Sequence, residues 1–80
     1  MSRLGSYNGT QVIKAFQKAG WKITRQKGSH VILEKEDKEA TLSIPVHKGK
    51  KVKRGTLRNL IKDAGMSVDE FLKYKTGTGV

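Results

Sequence analysis

Hydrophobic and polar positions recur along this chain with two periods, and the switches between them divide it into elements. Val12, Ile13 and Phe16 fall at helical spacing behind Asn8, a residue suited to capping a helix start, and Gly20 stops the segment. From there the period drops to two. Trp21, Ile23 and Arg25 alternate with Lys22, Thr24 and Gln26, as in a half-buried strand. Gly28 supplies a turn, and the β-branched run behind it predicts a second strand over residues 30–34. Glu36-Asp37-Lys38-Glu39 is short and polar, as a hairpin connection should be. A third strand covers residues 40–44, with Leu42 and Ile44 on one face and Thr41 and Ser43 on the other. Pro45 either ends it or marks an edge. Beyond a lysine-rich loop at 46–53, Leu57, Leu60, Ile61 and Ala64 line one stripe of a second helix. That helix begins near Lys53 or Arg54 and stops at Gly65. Ser67-Val68-Asp69-Glu70 has the form of a capping box, and Phe71 and Leu72 add a last apolar turn.

The predicted order is helix, strand, strand, strand, helix: an α+β domain. Three sequential strands most simply form an antiparallel sheet with both helices on one face, which leaves the other face open. If Val31 and Leu33 face the core, alternation turns His30 and Ile32 to the open side, together with Thr41 and Ser43.

Eighty residues suffice for one small domain, over residues 1–75, with 76–80 expected to be a disordered tail. Charge changes the picture more than size does. The formal net charge is +10, and the acids fall in two clusters, leaving residues 1–33 and 40–62 without any. An almost purely cationic face points to an anionic partner, with nucleic acid first. No cysteine is present, which excludes disulfides and thiolate metal sites. No apolar run is long enough for a membrane span and no signal-peptide pattern opens the chain, so a cytoplasmic protein is expected.

Two stretches carry candidate chemistry. In Lys27-Gly28-Ser29-His30, the turn would hold the imidazole at the first position of a rigid strand, beside a lysine and a serine. Imidazole accepts and returns protons near neutrality, its ordinary pKa being roughly 6.5. An idle surface histidine is the plain alternative. Ser29 is not paired with it as a nucleophile, because adjacent strand residues point to opposite faces. The second stretch, residues 47–58, holds Lys48, Lys50, Lys51, Lys53, Arg54 and Arg58 without one acid. It runs into a helix start, where free N–H groups and the macrodipole favour an anion, with Thr56 as a further donor. Such a loop gives affinity for phosphates without reading sequence. Its plain alternative is a solvated basic loop. His30 and His47 lack a carboxylate pattern for a metal site, and the glycines form no nucleotide-binding fingerprint.

Joined together, these motifs resemble the HicA family of mRNA interferase toxins, the nuclease half of bacterial HicA–HicB toxin–antitoxin pairs. The resemblance runs from about Asn8 to Phe71. It rests on Ala19-Gly20-Trp21, Gln26-Lys27-Gly28-Ser29-His30, Ile44-Pro45-Val46-His47 and Lys53-Arg54-Gly55-Thr56-Leu57-Arg58. It continues through Leu60-Ile61 to Ala64-Gly65-Met66-Ser67 and Glu70-Phe71. It implies a fold like that of double-stranded RNA-binding domains and a single toxin domain over 1–75. It also implies endonucleolytic cleavage of mRNA without a metal ion or other cofactor, with His30 as the catalytic residue. The implied partners are mRNA and a HicB-type antitoxin that covers the site, with operator DNA met only through the antitoxin complex and no membrane. Many members carry a second histidine or an aromatic residue directly after the motif histidine; here that position is Val31.

The chemistry expected on this basis is attack of a ribose 2′-OH on the adjacent phosphate with His30 as general base. RNA would be held by Lys27, Gly28, Ser29, His47, Lys48, Lys50, Lys51, Lys53, Arg54, Thr56 and Arg58. His47 is a candidate for the acid that protonates the leaving oxygen, or else caps the third strand. The rival function is a non-catalytic double-stranded RNA-binding module, which needs the cations but not His30.

Overall fold

The computed structural model describes residues 5–75. Eight elements follow in order: β1 (Tyr7–Asn8), α1 (Gly9–Lys18), β2 (Lys22–Lys27), β3 (His30–Glu34), β4 (Thr41–Pro45), β5 (Lys51–Val52), α2 (Arg54–Asp63) and α3 (Val68–Lys75). β2, β3 and β4 form an antiparallel sheet in sequence order, and β1 pairs with β5 in a separate two-stranded ribbon. The α+β class and the three-stranded meander stand as predicted.

Local chemistry explains where the helices start. The Asn8 side chain accepts from the Gln11 backbone N–H at 2.8 Å, and the Asn8 N–H donates to Gln11 Oε1 at 3.0 Å. This reciprocal capping box satisfies amides that α1 leaves unpaired. Ser67 and Glu70 repeat the arrangement at α3: Glu70 N–H donates to Ser67 Oγ at 3.1 Å and Ser67 N–H to Glu70 Oε1 at 3.0 Å. What the sequence suggested as one apolar turn is therefore a capped helix of eight residues.

Val31, Leu33, Leu42 and Ile44 are buried on one sheet face against Val12 and Phe16 of α1 and Leu57, Leu60 and Ile61 of α2. Each large apolar side chain fully buried there is worth about 1.5–3 kcal/mol. Phe71 of α3 completes this core, its ring 5.3 Å from that of Phe16 and 6.1 Å from that of Tyr7. Val31, which follows His30 in the chain, thus points away from it and into the apolar interior.

Two expectations need correction. β2 is not half-buried: all six of its residues are exposed, and Ile23 is 49% accessible. It is an edge strand, and Trp21, just before it, makes the buried contact instead, edge-on to Phe16. Nor does β2 alternate regularly. Ile23 pairs with Leu33 but Arg25 pairs with Ile32, so Thr24 is the extra residue of a β-bulge. The basic loop is also more ordered than a loop. Its Lys51 and Val52 pair with Asn8 and Tyr7, and Val52 is buried.

Candidate nucleic-acid interface

Directly paired residues of antiparallel strands share a face. The register therefore writes out the open side of the sheet as three rows: Lys27–His30–Pro45, Arg25–Ile32–Ser43 and Lys22–Glu34–Thr41. His30 is central in the first row, exposed, at the start of β3. Among the described residues its imidazole makes no side-chain hydrogen bond, and the residue is exposed.

The turn before it is tied down on both sides. Gly28 has φ +54° while Ser29 keeps a negative φ, the pattern of a two-residue II′ hairpin turn. Gln26 Nε2 donates to the Gly28 carbonyl at 3.1 Å. On the other flank the Val46 N–H donates to the Ser29 carbonyl at 2.6 Å, carrying the β3–β4 ladder one step past Pro45. Imidazole, lysine and turn are thus carried on a braced hairpin end.

A groove of about 380 Å³ opens beside this end, lined by Pro45, His47, Lys50, Lys51, Val52, Lys53 and Thr56. A turn closed by the Lys50 N–H on the His47 carbonyl at 3.0 Å shapes one wall. Lys53 is the N-cap of α2 and supplies no side-chain cap. The helix start is therefore left without the side-chain acceptor that α1 and α3 possess, and its partial positive charge adds to that of the lysines.

The predicted site residues thus divide into two groups. Lys27, Gly28, Ser29 and His30 form the hairpin end; His47, Lys50, Lys51, Lys53 and Thr56 line the groove. Pro45 is common to both, as the cross-strand partner of His30 and a wall of the groove. Lys48, Arg54 and Arg58 are exposed but outside the groove lining. Sequence reasoning passed over Arg25, which alternation puts on the His30 face, and Lys22, which the bulge brings there. Among the described residues, no group of three or more His, Asp or Glu side chains gathers as a metal site, and no helix is long and apolar enough to cross a membrane.

An α+β domain with a three-stranded antiparallel sheet, helices on one face and an open basic face has the fold of double-stranded RNA-binding domains. The family model of the HicA toxin of bacterial toxin–antitoxin systems matches residues 9–66, and the chain belongs to that family. It is accordingly the toxin member of such a system, and an antitoxin is implied as its partner. A search of curated proteins gave no match to the chain.

Proposed function

We propose that this toxin is a metal-independent endoribonuclease that cuts mRNA through His30. The observation that carries the reading is the row Lys27–His30–Pro45: an exposed imidazole on a braced strand end, a lysine directly across the ladder, and a cationic groove sharing its proline. In the proposed step, His30 takes the proton of a ribose 2′-OH as that oxygen bonds to the adjacent phosphorus. The bond from phosphorus to the 5′ oxygen breaks, leaving a cyclic phosphate on one fragment. The departing 5′ oxygen takes a proton, for which His47 is the candidate donor. Lys27 and the groove lysines, Lys50, Lys51 and Lys53, offset charge on the phosphoryl oxygens. A positioned general base is typically worth about 10²–10⁴ in rate.

Lys48, Arg54 and Arg58 extend the cationic surface around the groove and would hold flanking phosphates, Thr56 adds a hydroxyl donor within it, and Gly28 and Ser29 shape the turn against the RNA. A HicB-type antitoxin would cover the open face, operator DNA would be met only through that complex, and the setting would be cytoplasmic.

The test is cleavage of a long single-stranded RNA by purified protein in EDTA, beside His30→Ala purified identically. Cutting by the wild type alone supports the reading. Cutting by both moves the chemistry to another group. RNA binding without cutting by either favours a non-catalytic RNA-binding module.

A further inference from the structure

Lys22, Arg25 and Lys27 are spaced three and then two residues apart. On a regular strand, Lys22 would point to the opposite face from the other two. The bulge at Thr24 removes that mismatch, and all three pair with open-face residues of β3: Glu34, Ile32 and His30 in turn. The Thr24 hydroxyl holds the bulge, lying 3.1 Å from Glu34 Oε2 and 3.5 Å from the Ile32 carbonyl oxygen. The result is a file of cations along one edge of the open face, with steps of about 7 Å along the strand. It ends opposite the imidazole.

We propose that this file is a phosphate track for single-stranded RNA, leading along β2 to the scissile phosphate at His30, with Arg25 at its centre. The proposal rests on the ribonuclease reading above and adds a second cationic arm to the groove at α2. Every side chain of β2 is exposed, so nothing in the fold requires these charges. No acid occurs in residues 1–33 to neutralise them from their own side of the chain. The carboxylate on this face is Glu34, opposite Lys22 and thus at the end away from His30. It marks where the track stops.

The cations along β2 suit a polyanion better than an apolar protein anchor. Protein interfaces are anchored by buried aromatic and large apolar side chains. The three rows contain no Phe, Tyr or Trp, and Ile32 at their centre is already half-buried. Ser43 and Thr41 on the far strand add neutral hydroxyls rather than apolar surface.

The experiment compares two double variants that each remove two positive charges. Lys22→Gln/Arg25→Gln alters the track; Lys14→Gln/Lys18→Gln alters exposed positions on α1, behind the sheet. The probe is a ten-nucleotide, mixed-sequence 2′-O-methyl RNA, which binds without offering a 2′-OH. The track variant should weaken binding by about tenfold or more at ~50 mM salt and flatten the plot of log affinity against log salt by about 1.4. The α1 variant should stay within about twofold of wild type with the slope intact. Equal losses in both variants would reduce the effect to net charge and overturn the proposal. Loss of antitoxin capture with RNA affinity intact would overturn it too, assigning the face to protein. The ribonuclease reading is checked separately: wild type that cuts long RNA while the track variant cuts it with unchanged KM sinks the track alone. Wild type that neither binds nor cuts RNA sinks both.

Discussion

A β-carbon on Gly9 would stand 2.5 Å from the carbonyl oxygen of Pro45 and 2.8 Å from Cγ2 of Val46. The first residue of α1 is therefore pressed against the end of β4 more closely than any side chain permits. Val46 in turn holds Ser29 through its N–H, so the chain Gly9, Val46, Ser29 connects a helix start to the residue before His30.

Gly9→Ala forces that contact apart. The expected loss is about 1–3 kcal/mol, as for other overpacked sites. For a domain of this size each kcal/mol lowers Tm by roughly 4–8 °C. Backbone amide shifts at Ser29 and His30 should accompany the loss in a ¹⁵N-correlated NMR spectrum. A Tm equal to wild type would mean that the contact relaxes freely.

Gly28 and Gly55 make an instructive pair, since a β-carbon at either meets nothing within 4 Å. Only Gly28 has a left-handed φ, at +54°. Gly28→Ala should cost about 1–2 kcal/mol from the backbone alone. Gly55→Ala, inside the first turn of α2, should instead gain about 0.5–1 kcal/mol. Urea denaturation of both variants decides the matter, and the same sign at both positions would refute the argument.

His30 is exposed and takes no part in the core. His30→Ala should leave stability within about 0.5 kcal/mol of wild type, the usual range for surface changes. A large fall in thermal stability would show instead that the imidazole supports the hairpin. A DNA copy of a cleaved RNA should bind but remain intact, because it lacks the attacking 2′-OH. Cleaved DNA would discard the mechanism.

Lys50, Lys51 and Lys53 all line the groove beside α2. Replacing the three with Ala should make the log–log salt dependence of single-stranded RNA binding shallower by about 2. A fluorescence titration at four salt concentrations measures this. An unaltered slope would take the groove out of the interface.

Much of this molecule was legible in the sequence wherever a local signal and a tertiary requirement agree. Asn8 caps a helix because its side chain reaches a backbone amide three residues on, and Ser67 does the same. Val31, Leu33, Leu42 and Ile44 lie on one face because strand alternation is strict there, which places His30 on the other. The misses are features decided by pairing between distant segments. Nothing in Lys22-Ile23-Thr24-Arg25 announces a bulge; the Thr24 hydroxyl meets its acceptors, Glu34 and the Ile32 carbonyl, only across the strand pair. Lys51 and Val52 read as basic loop because their partners, Asn8 and Tyr7, lie more than forty residues earlier. The groove depends on that same ribbon, so its lining residues were nameable as cations but not as walls of one cleft.

The first and last described elements meet in this fold: Tyr7 of β1 and Phe16 of α1 pack their rings on Phe71 of α3. The match to the family model ends at Met66, five residues short of that ring. The core thus extends beyond the matched segment. During synthesis α1 cannot complete its ring contacts until Phe71 has emerged, after every strand of the sheet has been made.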